Sequence, residues 1–184
     1  SLICPTFQFP SVEDAEVQAM NAQAAAVSGY YANFDQYTRL EADAIIADLS
    51  KDYDDTEVTE DFGYTNHNWL TVISSVHHDQ DLFTVSEDSV REIVRQNIAY
   101  SYWVETYYAE DDEDESNPLR RIHIDLWDIG PQALIGKLGF DEFHTEWAGF
   151  LYDNLTESQS VDLENPDYTG DMPGVKIGDL TFSD

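Results

Sequence analysis

Residues 110–115, EDDEDE, place six acids in succession. Carboxylates held closer than one screening length, ~8 Å at 0.15 M salt, repel one another, extend the backbone and resist burial. A packed core cannot run through such a segment, so the chain must fold as elements on either side of a solvated connector.

The element after the connector is a strand. Asn117-Pro118 is a turn signal, and Ile122, Ile124 and Leu126 then alternate with His123, Asp125 and Trp127, the period of a half-buried strand over 122–127. His123 and Asp125 share the face opposite the apolar one. The element before the connector reads as a helix opened by Ser86, with Glu87 and Asp88 at its positive end and Val90, Ile93, Val94, Ile98 and Tyr102 along one face. It becomes aromatic at Tyr100, Tyr102, Trp103, Tyr107 and Tyr108, a density on both sides that predicts burial by more than one neighbour. Acids at a helix C-terminus oppose the dipole, so this helix is expected to stop short of the run. Arg120 and Arg121 stand ready to pair with it.

The rest of the chain divides by the same signals. Phe7 and Phe9 share one side of an extended segment between Pro5 and Pro10, which predicts an arm over 1–10 that docks its rings on a neighbour or on its own domain. Ser11 offers a helix cap, and Ala15, Ala19, Ala22 and Ala26 line one face of the following helix, allowing close approach of another. Ser28-Gly29 predicts a break or kink, after which helical spacing continues through Tyr30, Phe34, Tyr37, Ala44, Ile45 and Leu49 to about Ser50. The stretch 51–63, with six acids between Asp52 and Asp61, has little periodicity and reads as a solvated loop. The run 64–76 is consistent with a buried strand, centred on 69–76, or with a short buried helix. Pro131 starts a short helix that Gly139 stops, and Asp141 caps another bearing Phe143, Trp147, Phe150, Leu151 and Leu155. Past Glu157 a Gly/Pro-containing tail holds short β-like pieces at 175–177 and 180–182.

These signals together predict one α+β unit with helices dominant: an extended arm over 1–10, a helix-rich core over 11–157 with a small, mostly antiparallel sheet, and an irregular tail over 158–184. Leu, Ile, Val and Phe number 45, about a quarter of the 184 residues and above the ~20% below which highly charged chains stay disordered.

Charge bounds the partners. With 38 acids against 8 bases and a formal net charge of −30, the chain lacks the clustered Lys and Arg that nucleic-acid backbone or anionic lipid requires. Hydrated carboxylates with few lysines fit a saline setting, where the screening length falls to ~3 Å at 1 M and self-repulsion fades. A surface built for a basic partner is the alternative. Cys4 is alone, no apolar stretch approaches the ~20 residues of a membrane span, and the first ten residues do not read as a signal peptide, which leaves the compartment open.

No motif singles out a reaction. The segment 133–155 has a helix-turn-helix layout, but its second helix carries Asp141, Glu142, Glu146 and Asp153 and no base, so DNA reading is rejected in favour of a packed helical hairpin. His123, Asp125 and His144 are the candidate ligands of a two-histidine, one-carboxylate metal site, without a specific spacing behind them. Residues 165–176 resemble a calcium loop at Asn165, Asp167, Thr169 and Gly170 but place Lys176 where a bidentate Glu is needed. Nucleophile-elbow and phosphate-loop patterns are absent, and Asn154-Leu155-Thr156 is a formal glycosylation sequon. No cofactor is expected beyond weak cation binding by acidic loops.

The expectation is a non-catalytic structural or assembly subunit of a larger complex, such as a virus-particle component, adapted to salt. It would bind other protein subunits as a homo- or hetero-oligomer, with Phe7 and Phe9 as partner-binding residues. The alternatives are an acidic inhibitor or DNA mimic that covers a basic protein, and a metal-dependent enzyme using the histidines.

Overall fold

A computed structural model describes residues 12–110 and 117–159. Over these residues the chain is a helix-dominant α+β fold: α1 (Val12–Ala32), α2 (Phe34–Ser50), β1 (Asp55–Asp61), α3 (His67–His77), α4 (Glu87–Asn97), β2 (Ile98–Tyr107), β3 (Leu119–Asp128), α5 (Pro131–Lys137) and α6 (Glu142–Gln159), with one turn of 3-10 helix at Leu82–Thr84. Phe7, Phe9, the calcium-like loop, the tail pieces and residues 111–116, which hold all of the acidic run but Glu110, lie outside the described residues.

β3 is the middle strand of a three-stranded sheet ordered β1-β3-β2. It runs parallel to β1, with Val58 beside Ile124, and antiparallel to β2, with Tyr102 beside Ile124. The sheet is therefore mixed, one parallel and one antiparallel pair. The alternation expected at 122–127 is present: Ile122, Ile124 and Leu126 are fully buried against the helices. They join Phe34, Ile73, Val90, Ile93, Val94 and Leu134 in one core cluster. A fully buried side chain of this size contributes about 1.5–3 kcal/mol.

Three local expectations are corrected, and one reading left open, at 64–76, is decided. The helix from Ser86 ends at Asn97, where Ile98 turns extended (φ −91°, ψ 131°) and its N–H caps Arg95 C=O. The aromatic and β-branched residues beyond prefer a pleated surface, and β3 offers a strand to pair with. The acidic connector consequently joins two strands, β2 and β3, rather than a helix and a strand. The acidic stretch 52–61, expected to be loop, supplies β1. Residues 67–77 are helical rather than extended, started by Asn66, whose side chain accepts from Trp69 N–H at 3.0 Å, and bury Leu70, Ile73 and Val76 on one side. Finally, α1 runs through Ser28-Gly29, and the break falls at Asn33 (φ −102°, ψ 11°).

Ser86 caps α4 as expected, in a reciprocal pair with Ser89. Asp141 caps α6 by accepting from His144 N–H at 2.8 Å, and Gly139 ends the α5 turn with φ +75°, a conformation other residues rarely adopt. α6 lies chiefly on α3, with Tyr152 stacked on Trp69 at 4.0 Å, so the expected α5–α6 hairpin is replaced by packing of both helices on α3. The first half of α1 is exposed, Ala15, Ala19 and Ala22 included, and the helix is tied down by Gln23, whose amide donates to Leu82 C=O and Val85 C=O.

Candidate assembly interface and polar clusters

The two outer strands of the sheet are opposites in chemistry. β1 reads DTEVTED, with Asp55, Glu57, Glu60 and Asp61 along seven residues. Charged edges resist pairing with another strand. β2 carries no charge from Ile98 to Val104, and its first acid is Glu105. Tyr100, Tyr102 and Trp103 are about half exposed, at 48%, 53% and 52%. The sequence expectation that these rings are buried is thus corrected for the single chain: Tyr100 and Tyr102 share the helix-side face with Leu126 and Ile124 yet stay about half exposed, and Trp103 lies with His123 on the opposite face.

Among the described residues no strand pairs with the outer edge of β2, and that edge can be oriented. Ile129 N–H donates to Asn97 C=O at 2.9 Å, continuing the β2–β3 ladder one pair beyond Ile98–Asp128. Bonded and non-bonded pairs alternate in an antiparallel ladder. Odd-numbered residues of β2 therefore direct their backbone groups at β3, while Tyr100, Tyr102 and Val104 direct theirs at the free edge.

The sheet face away from the helices carries two cross-strand rows. Arg121 sits between Asp55 (2.7 Å) and Glu105 (3.1 Å), with its guanidinium 4.6 Å above the Tyr107 ring. This contact with Arg121 holds the Asp55 carboxyl below its ordinary range. In the next row His123 lies flat on Trp103, with Nδ1 3.1 Å from Glu57 and Nε2 3.4 Å from Glu105 but outside hydrogen-bonding geometry. Asp125 follows, flanked by Thr59 and Ser101.

His144, on α6, stands apart from that row and works as a clamp. Its Nδ1 is 2.7 Å from Asp141 and its Nε2 3.0 Å from Asp79. Asp79 and Gln80 hold left-handed conformations at φ 50° and 57°, uncommon outside glycine, in the turn that ends α3. The two carboxylates, Asp79 first, raise the His144 pKa above its ordinary value. Among the described residues no group of three or more His, Cys, Asp or Glu side chains is gathered as a metal ion would need. No helix of the described residues is long and apolar enough to cross a membrane.

Sequence reasoning passed over Asp128. Buried at the end of β3, it accepts from the backbone N–H groups of Gly63, Tyr64 and Thr65, and Thr65 in turn donates its hydroxyl to Asn97 at 2.9 Å. Gly63 is held at φ +131°, which glycine tolerates. These groups floor a cleft of about 290 Å³ with Asp35 and His67 at its rim. Because the Asp128 oxygens are occupied by backbone donors, the carboxylate anchors the β1–α3 loop instead of standing free as a base. Its only sequence signal is an acid at an inward position of an otherwise apolar strand face.

Comparison with protein-family models, with curated proteins and with solved structures yields no match.

Proposed function

We propose that the protein is a non-catalytic assembly subunit that works in salt, and that its subunit contacts are made through uncharged aromatic surfaces set apart from its acidic ones. The observation that carries this reading is β2, an outer strand that is charge-free from Ile98 to Val104 and half exposes three aromatic rings, in a chain of net charge −30. Soluble chains ordinarily protect such edges with charge, as β1 does here. Phe143 and Phe150, a helical heptad apart on α6, are exposed at 66% and 65%, and Phe83 and Met20 border a groove beside α1. These surfaces supply further contacts of the same kind. Sedimentation of the full chain over a range of salt concentrations tests the reading. It expects species larger than the monomer, favoured by salt; a monomer under all conditions that also retains no partner subunit on native isolation from its source would refute it.

The carboxylates of β1 support a second reading, an acidic inhibitor of a basic protein, because they are displayed on a rigid strand. It ranks lower since Arg121 neutralises Asp55 and Arg39 neutralises Glu60. Pull-down with basic nucleases at low and high salt separates the two: salt-sensitive capture supports the inhibitor, and no capture removes it.

A further inference from the structure

We infer that the free edge of β2 pairs antiparallel with β2 of a second copy about a two-fold axis through Tyr102, joining two three-stranded sheets into one of six strands. This rests on the assembly reading above and names the partner at that site.

Three observations select a second copy. The backbone groups of Tyr100, Tyr102 and Val104 point to the free edge, and a two-fold axis normal to the sheet pairs residues of equal parity, so each of these residues can meet another whose groups also point outward. The register centred on Tyr102 sets Tyr100 opposite Val104 and Trp103 opposite Ser101, a large side chain against a smaller one in each case, whereas centring on Trp103 would oppose the two indoles and bring Ser101 against Glu105.

Charge gives the third. Two copies of net charge −30 can approach only where carboxylates are absent, and Ile98 to Val104 is such a stretch. The two Glu105 carboxylates would lie six residues apart along the strand, about 20 Å, more than two screening lengths at 0.15 M salt. The same antiparallel arrangement carries Glu110, just past the end of β2, toward the start of β2 in the other copy, where Lys137 holds Gln96 C=O at 2.8 Å.

Three half-exposed aromatic side chains contribute about 300 Å² per copy, and with the rest of the strand the total is roughly 1,000 Å², at the threshold for a specific interface. The dimer is therefore concentration-dependent, and salt strengthens it by screening the remaining acids.

The test uses the full chain. Sedimentation equilibrium is run at low and high salt on the natural sequence, on Tyr102→Lys and on the control Tyr64→Lys, with circular dichroism to establish that each is folded. Tyr102→Lys places two like charges across the axis and is expected to weaken the dimer about tenfold or more, with Tyr64→Lys unchanged. In a Cys4→Ser background, Tyr102→Cys is expected to form an intermolecular disulfide under mild oxidation, because bonded antiparallel partners lie about 5.5 Å apart at Cα. Amide exchange at Tyr100, Tyr102 and Val104 should slow as protein concentration rises.

An oligomer that persists in Tyr102→Lys, with no cross-link at position 102, overturns this inference and leaves the assembly reading standing. A monomer whose β2 amides are protected at every concentration assigns the edge to another segment of the same chain and also overturns it. A monomer with rapidly exchanging β2 amides that retains no partner subunit removes both.

Discussion

The indole of Trp103 lies parallel to the imidazole of His123, with ring centroids 3.7 Å apart and 3° between the planes. The stack joins the outer strand β2 to the middle strand β3, and Glu57 on β1 closes the row at 3.1 Å from the imidazole. One level of side chains thus spans all three strands on the face that the helices do not cover. Replacing His123 by Ala should cost about 1–2 kcal/mol, the aromatic pair with its associated burial, and leave Trp103 more open to acrylamide quenching. Urea denaturation with tryptophan fluorescence reads both; an unchanged midpoint and quenching constant would deny the stack any role.

Asp128 holds the β1–α3 loop through three backbone N–H groups while itself buried. Asp128→Ala leaves those donors without an acceptor and should destabilise the protein by about 2–4 kcal/mol. Asp128→Asn keeps one acceptor oxygen and should fall between. Denaturant midpoints of the three proteins give the order.

His144 makes stability depend on pH in a defined window. Its pKa is raised above 6.5 by Asp79 and Asp141, so its contribution is complete below 6.5 and is lost as pH rises through the raised value. The Asp141 pKa is lowered from 3.8, chiefly by His144 N–H and then by its imidazole, so that contribution is complete above 3.8 and is lost as pH falls through the lowered value. Both are in force between about pH 4 and 6.5. His144→Gln should therefore differ from the natural chain most near pH 5–6 and progressively less in alkali, as thermal midpoints measured from pH 4 to 9 would record. A difference that grows with alkali would contradict the clamp.

Glu41, nearly buried on α2, accepts from Arg95 at 3.0 Å and Arg91 at 3.2 Å on α4. Arg95 first, then Arg91, holds the Glu41 carboxyl below its ordinary range. Both arginines reach solvent, so Glu41→Gln should cost only about 1–2 kcal/mol rather than the larger penalty of a fully buried pair. The loss should shrink as pH falls through the lowered Glu41 pKa. Denaturant midpoints measured from pH 7 downward check both statements.

How far the fold can be read from the residues depends on whether apolar periodicity exists to be read. The middle strand was legible because Ile122, Ile124 and Leu126 face a core on one side only. β1 was not, because its inward positions are Thr56, Val58 and Glu60, which leave one apolar residue to mark the period. The switch at Asn97 was hidden because Ile98 and Tyr102 continue the helical spacing of Val90 and Val94, while the decisive factor, a partner strand twenty residues on, is not local. His123 and Asp125 share a face in the sequence reading, but adjacency in sequence could not say that His123 would meet Glu57 and Glu105 across strands or that His144 would meet Asp79 across helices. Assembly through Phe7 and Phe9 concerns residues outside the described ones.

Sedimentation equilibrium of the natural chain and of Tyr102→Lys between about 0.15 M and 2 M salt separates an aromatic edge that makes the subunit contact from an acidic surface that does. Association is expected to strengthen as salt screens the acids and to be weakened at every salt concentration by the lysine. Association that is weakened by salt and indifferent to Tyr102→Lys would place the contact on the carboxylates and contradict a contact through the aromatic edge.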